Sequence, residues 1–307
     1  MTKKIFIAAL AAIVCTGIYA QTTAEQYKER YFTLVKRVGA DGVGVETLLE
    51  KWDAAYPDDK EMMCARAVFF LVKSKTSRVV EKNQQKYMGE KPIMSLKDSL
   101  GVAHNYFEEY DYDDAYFSKA DKMMERAIAA YPYDLDLRSN KIFALIGYEK
   151  ENPDMVVQTI KGLIDYNFSS KPAWITGGEK ASGDDFNDLI QRVCYMLFSI
   201  NSPSGMEAFK SVSEKMLSYL PKSPIFLSNL GSYHLVYGHN PKAALKCYQK
   251  VLKIEPGNYP AVKNCVIAAR ELKDKKLEKK YLELLATVTS NDMERESAKV
   301  RAESLGK

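Results

Sequence analysis

This 307-residue chain has few residues of the kinds that bind metals or nucleic acids. It contains three histidines and five cysteines, and the histidines do not recur at metal-ligand spacing. Lysines and arginines outnumber aspartates and glutamates by four, which gives a net charge of +4. The first twenty residues contribute two of these charges, Lys3 and Lys4, so the rest of the chain carries only +2. A nucleic-acid surface needs a concentrated basic stripe. The sequence therefore predicts no metal site, no cofactor and no nucleic-acid partner.

Familiar catalytic motifs are also missing. The sequence has no G-x-S-x-G, H-E-x-x-H or G-x-x-x-x-G-K-[ST] segment. The acidic stretch 108–114 does not fit a calcium loop, because a loop starting at Asp111 would place Tyr116 and Lys122 where glycine and glutamate are needed. We interpret the stretch as a solvated turn whose aspartates cap the next helix. These absences predict a protein that is not an enzyme.

Only one long apolar run occurs, and it lies at the start of the chain. Lys3 and Lys4 precede eleven apolar residues, Ile5 to Cys15, and the small residue Ala20 stands before Gln21. This is the layout of a secretory signal, and the run is shorter than the ~20 residues of a membrane span. The sequence predicts a signal peptide over 1–20, export to the periplasm or the outer membrane, and no transmembrane span in the mature chain. Acylation of Cys15 is a weaker alternative.

Four cysteines remain after such cleavage: Cys64, Cys194, Cys247 and Cys265. They permit three pairings, among which a sequence does not choose. We favour four small buried side chains, because free cysteine is among the most buried residue types.

Helical periodicity runs through most of the chain, and strand signals are nearly absent. In the segments 121–131 and 242–254, apolar residues recur at three- and four-residue steps, as on one face of a helix. Proline and glycine interrupt the pattern at short intervals. Helices of ~12–18 residues joined by short turns predict antiparallel helix pairs.

A repeat of 35 residues separates Pro221 from Pro256. Between them lie Leu227-x2-Leu230-Gly231-x2-His234 and then Ala244-x3-Tyr248-x2-Val251-x4-Pro256. This unit resembles the tetratricopeptide repeat family. The resemblance implies an all-α, right-handed superhelix of stacked antiparallel helix pairs, whose first helices line a concave wall. Gly231 and Ala244 would be small because the two helices of a pair approach closely there.

Weaker copies of the second-helix spacing occur elsewhere, and the resemblance covers most of 22–290. These copies are Val45-x3-Leu49-x2-Trp52, Ala120-x3-Met124-x2-Ala127, Val156-x3-Ile160-x2-Leu163 and Phe209-x3-Ser213-x2-Met216.

Two segments interrupt the predicted array. We expect helical units over 21–168, with an insert at 74–95 that is a long connection carrying one short helix at Val79–Tyr87. A loop at 169–185 around Trp174 would separate these units from a second group over 186–290, whose best repeat is 222–256. The segment 291–307 would be a final helix or tail. A similar tryptophan-bearing interruption occurs in repeat proteins of Bacteroidetes.

The resemblance implies a scaffold that binds a protein or peptide. Five residues are predicted to line the inner wall: Asn229, Ser232, Lys263, Asn264 and Arg270. The plainer interpretation is that these five are ordinary polar residues exposed on the surface. An alternative function is an accessory component of glycan binding or uptake, because starch-binding outer-membrane proteins also carry such repeats. Five aromatic residues beside the acidic stretch could then contact sugar, although filling of the core is the simpler role for them. They are Tyr106, Tyr110, Tyr112, Tyr116 and Phe117.

Overall fold

The computed structural model describes residues 22–150 and 152–306, and the predicted signal peptide lies outside them. Thirteen α-helices occur in these ranges. They are α1 (Ala24–Val38), α2 (Val45–Ala55), α3 (Lys60–Ser74), α4 (Asp114–Ala130), α5 (Leu135–Glu149), α6 (Asp154–Ser170), α7 (Gly183–Ile200), α8 (Pro203–Tyr219), α9 (Pro224–Val236), α10 (Pro241–Ile254), α11 (Tyr259–Glu271), α12 (Lys275–Val288) and α13 (Asp292–Ser304).

Side-chain caps define where many of these helices begin. Asp59, Asp113 and Asp134 each accept a hydrogen bond from the backbone N–H three residues later, at the starts of α3, α4 and α5. Such caps satisfy amide groups that have no partner inside the helix. Proline is the first or second residue of each of the helices α8 to α11, where its missing N–H costs nothing. The expected capping role of an aspartate in 108–114 is met by Asp113.

The helices form consecutive pairs, from α1 with α2 to α11 with α12, and α13 packs against α12. Like helices of neighbouring pairs also meet. Gln191 of α7 bonds to Asn229 of α9, both first helices, and Phe168 of α6 stacks on Tyr219 of α8, both second helices. The predicted solenoid of helix pairs is confirmed.

The second-helix spacing coincides with burial in every copy. Each of the fifteen residues in question is at most 8% exposed. They are Val45, Leu49, Trp52, Ala120, Met124, Ala127, Val156, Ile160, Leu163, Phe209, Ser213, Met216, Ala244, Tyr248 and Val251. Even Ser213, the poorest match to the pattern, is buried, because its hydroxyl donates to the Phe209 carbonyl one turn earlier. The spacing therefore marks the face of each second helix that packs into the core.

A three-stranded antiparallel sheet lies between α3 and α4. The sequence predicted a connection with a short helix at Val79–Tyr87 and ended this insert at residue 95, whereas the sheet continues to Tyr112. The strands are β1 (Lys75–Lys82), β2 (Met94–Lys97) and β3 (Ala103–Tyr112), in the order β1-β3-β2. Val79 lies in the middle of β1, so the predicted short helix was wrong. The acidic stretch was also misplaced, because 108–111 belongs to β3 rather than to a turn.

The sheet docks onto helices of the following pairs through its inner face. Phe107 and Glu109 of β3 are buried there, and the Glu109 carboxylate pairs with Arg78 and accepts a hydrogen bond from the Tyr87 hydroxyl. Tyr112 packs so closely on α5 that a side chain at Gly147 would meet its hydroxyl at 2.9 Å. The insert is thus an ordered part of the solenoid.

The 169–185 segment also packs into the core instead of separating two groups of units. It carries a small hairpin, β4 (Ile175–Thr176) and β5 (Glu179–Lys180). Trp174 is buried, stacks on Phe186 of α7, and donates its indole N–H to Asn167 of α6 at 2.8 Å. One continuous apolar cluster extends through this region, from Phe117 to Tyr233.

Candidate peptide-binding surface

The residues predicted for the inner wall lie on α9 and α11, and their side chains bond to side chains of other helices. Asn229 is 7% exposed and exchanges hydrogen bonds with the Gln191 amide, at 2.8 and 3.3 Å. It was expected to be exposed, and burial between two first helices leaves it little surface for a ligand.

Ser232 and Asn264 converge on one tyrosine. The Ser232 hydroxyl lies 3.2 Å from the Tyr248 hydroxyl, and the Asn264 side chain bonds to the same group. Tyr248 is fully buried, and burial raises the pKa of its phenol to about 12. Both residues are half-buried and hold this phenol in place.

Lys263 and Arg270 are exposed but paired with carboxylates of the last two helices. The Lys263 ammonium lies 2.9 Å from Glu294 of α13, and the Arg270 guanidinium lies 3.0 Å from Glu278 of α12. Glu278 is 4% exposed and is also bonded by Arg301. The five residues thus link α9 to α7, both α9 and α11 to α10, and α11 to α12 and α13. Their role in binding a ligand stays a prediction.

Hydrogen bonds to the Glu294 carboxylate explain its acidity. It accepts from the Thr289 hydroxyl at 2.6 Å, from Lys263 at 2.9 Å and from the Tyr259 hydroxyl at 2.8 Å. Because all three stabilise the charged form, the pKa of Glu294 falls to about 2.

An open cleft lies elsewhere on the first helices, between α3 and α5, and sequence reasoning missed it. Its volume is about 380 Å³ and its floor is formed by α4. Most of its lining is apolar: Met63, Ala67, Val68, Leu71, Met124, Ala127, Leu137, Phe143 and Ala144. Pockets that hold small ligands or side-chain anchors have this size and this apolar character. We call it the α3–α5 cleft.

One cationic residue, Lys75, lines the α3–α5 cleft, and a second, Arg192, contacts the lining residue Phe143. Lys75 is the first residue of β1, directly after α3, and its ammonium lies over the rings of Tyr110 and Tyr112, 5.5 and 5.7 Å from their centroids. The Arg192 guanidinium of α7 stacks on Phe143, 5.4 Å from the ring centroid. An apolar side chain in the cleft would therefore lie near the positive charge of Lys75.

The thiol of Cys64 also lines the α3–α5 cleft. Burial raises its pKa to about 11, so at neutral pH it is a protonated and poorly reactive group. Cys194 and Cys265 are buried, Cys64 and Cys247 are half-buried, and all four thiols are free. The favoured interpretation of small buried side chains thus holds for Cys194 and Cys265, whereas Cys64 and Cys247 are only half-buried.

Residues 22–150 and 152–306 contain no group of three or more potential metal ligands. Within the same ranges, no helix is both long enough and apolar enough to cross a membrane.

No protein-family model matches the chain, and no curated protein matches it significantly. Among solved structures, the chain is similar to PilF of Pseudomonas aeruginosa, with 10% identity, a TM-score of 0.36 and coverage of 90% of this chain and 96% of that one. It is also similar to the flexible tandem repeat domain of a bacterial cellulose synthase component, with 12% identity, a TM-score of 0.28 and coverage of 93% and 98%. Similarity at this level implies nothing about partners. On its own helix pairs, the chain has a tetratricopeptide-like repeat fold.

Proposed function

We propose that this protein is a non-enzymatic scaffold of the cell envelope that binds a peptide segment of another protein. The observation that carries the proposal is the open α3–α5 cleft on the first helices, the surface that repeat proteins use for extended ligands. The favoured ligand is a segment with one large apolar side chain next to aspartate or glutamate.

The cleft matches this ligand in size and charge. Its exposed wall includes Val68, which is 44% exposed and would be covered by an inserted leucine or phenylalanine. Burying one such side chain contributes about 1.5–3 kcal/mol. A carboxylate on the ligand would gain from Lys75 and Arg192, although their exposure limits that gain. The cleft therefore suits an anchor within a longer contact.

The basic start, the eleven-residue apolar run and Ala20 support the proposed envelope location. We expect protein recovered from its native cells to have the mass of a chain that begins at Gln21. A native mass that includes Met1 would contradict export.

Selection from a displayed library of random peptides tests the binding function. We expect enrichment of peptides in which a large apolar residue has an acidic neighbour. Val68→Glu places a negative charge on the cleft wall and should weaken the selected peptides at least tenfold. The matched control is Val72→Glu, which lies one turn later on α3, is 37% exposed and does not line the cleft.

Two outcomes would contradict the proposal. Library selection could yield no peptide, or Val68→Glu and Val72→Glu could weaken binding equally. An array of glycans run in parallel tests the alternative function. Binding to the array without any peptide ligand would favour the glycan role.

A further inference from the structure

Strand β1 is an edge strand whose outer backbone groups face solvent. In the sheet it pairs with β3 on one side only. Two hydrogen bonds at the ends of the strands show which residues of β3 bond to which neighbouring strand. The Asp113 N–H donates to the Ser74 carbonyl beside β1, and the Ile93 N–H donates to the Tyr106 carbonyl beside β2. Tyr106 therefore faces β2, and its neighbours in β3 face β1.

The register then tells which residues of β1 point outward. Val80 is opposite Phe107 and Lys82 is opposite Asn105, so the even-numbered residues of β1 bond to β3. The N–H and C=O groups of Ser77, Val79 and Glu81 point away from the sheet. Among the described residues, no backbone hydrogen bond on that side engages these three. Val79 is 60% exposed at the middle of this edge.

We propose that β1 pairs antiparallel with β1 of a second copy of this chain, with Val79 on the two-fold axis. In this register Ser77 is opposite the other copy's Glu81, and Val79 is opposite its symmetry mate. On the other face, Arg78 is opposite Val80 and Thr76 is opposite Lys82. No like charges stand directly opposite each other, which is the condition for a stable cross-strand pair.

Neighbouring registers of the two β1 strands place like charges directly opposite each other, so the register centred on Val79 is favoured. A two-fold axis at Arg78 would place two guanidinium groups directly opposite each other. An axis at Val80 would place Arg78 opposite Lys82. Charged residues on an edge strand normally prevent such pairing. At the Val79 axis the nearest like charges are diagonal, and Arg78 and Lys82 are each paired with Glu109 of their own copy.

The pairing involves residues 76–82 of each copy and ends before α3. In this register Ser74, the last residue of α3, would be opposite residue 84, beyond the end of β1. Ser77, Val79 and Glu81 would each donate and accept one hydrogen bond across the axis. A single strand pair is small beside the ~1,600 Å² of a standard stable interface. We therefore expect a weak dimer that depends on protein concentration.

Sedimentation velocity at increasing concentration, up to about 1 mM, tests the dimer. The wild-type sedimentation coefficient should rise with concentration. Val79→Lys places two ammonium groups opposite each other at the axis and should weaken the dimer at least tenfold. Val79→Pro should abolish the dimer, because proline removes the N–H that would donate to the second copy. The fold should tolerate this proline, because the lost N–H points away from β3. Both variants should keep the wild-type circular dichroism spectrum.

A symmetric crosslink gives an independent measurement that needs no destabilising change. Val79→Cys should form a disulfide dimer on mild oxidation, because opposed residues of an antiparallel pair have Cα atoms ~5.5 Å apart, within disulfide range. The matched control is Leu100→Cys, a residue 86% exposed outside β1 that should crosslink far more slowly. The native thiols are common to both variants. A wild-type protein that stays monomeric throughout, or equal crosslinking of the two variants, would overturn the proposal.

Discussion

Gly231 tests the packing within one helix pair. It lies on α9 against the ring of Tyr248 on α10, and a Cβ atom at Gly231 would lie 2.6 Å from both Cε1 and Cζ of that ring. Carbon atoms in favourable contact are ~3.5–4.0 Å apart. The ring has little room to move, because Tyr248 is fully buried and its hydroxyl contacts Ser232. Gly231→Ala should therefore overpack the pair.

Two effects of Gly231→Ala oppose each other. Alanine in place of glycine inside a helix stabilises it by about 1 kcal/mol. Overpacking a well-filled core costs about 1–3 kcal/mol. The contact is short and the ring is held, so the overpacking cost should lie in the upper part of its range. We expect a net loss of about 1–2 kcal/mol in the free energy of unfolding. Urea denaturation followed by circular dichroism should show this loss, and hydrogen exchange should show it in α9 and α10.

Gly162 provides the matched control for this substitution. It lies in α6, and a Cβ there would have no heavy atom within 4 Å. Gly162→Ala should stabilise by about 0.5–1 kcal/mol, since only the helix propensity changes. In a double variant, Tyr248→Leu removes the ring atoms that clash, so the loss should be smaller than the sum of the two single losses. A Gly231→Ala protein as stable as the wild type would refute the close approach.

Further predictions concern the last three helices. Freely solvated side chains on an inner wall could be removed without effect on stability. Lys263 and Arg270, however, both pair with carboxylates of the last two helices. We therefore expect the double substitution Lys263→Ala with Arg270→Ala to raise the rate of hydrogen exchange in α12 and α13. Unchanged exchange would mean that these ion pairs contribute nothing measurable. The pKa of Glu294 is about 2 when folded, against an unfolded value near 4.3. Its stabilising effect is therefore complete above about pH 4.5 and is lost as the pH falls towards 2. We expect Glu294→Gln to lower the protection of α13 at neutral pH and to flatten its pH dependence, whereas the exposed Glu296→Gln should change neither. Equal profiles for the two variants would contradict this role.

The helical core could be predicted from the sequence because its signal is local and recurrent. A small or apolar residue followed by others four and seven positions later marks one face of a helix, as at Ala244, Tyr248 and Val251. Pro221 and Pro256 then show the length of a unit. Each unit buries the same face against its neighbours, so one strong copy indicates the weaker ones.

The sheet could not be predicted by the same reasoning. Strand β1 is exposed along most of its length, so no alternation of polar and apolar residues marks it. Strand β3 does alternate, but two of its buried residues are Asn105 and Glu109, which are polar. Their partners are distant in sequence, as with Arg78 opposite Glu109. The polarity of β3 thus indicated a turn.

The α3–α5 cleft had no sequence signal either. It arises from the spacing between two first helices separated by the whole inserted sheet. Its wall residues, such as Ala67 and Ala144, have the same character as residues of the closed core. Lys263 and Arg270 looked available because their carboxylate partners are contributed by later helices.

Alkylation of the native cysteines measures most directly whether a peptide occupies the α3–α5 cleft. Cys64 lines the cleft and Cys247 lies on α10, away from it, and both are half-buried thiols whose pKa is raised by burial. Rates of modification by iodoacetamide at pH 8.5 would be followed by mass spectrometry, with and without a saturating selected peptide. We predict that the peptide slows modification of Cys64 at least fivefold and leaves Cys247 unchanged. An unchanged rate at Cys64 under saturating peptide would show that the ligand binds elsewhere and would contradict the proposed site.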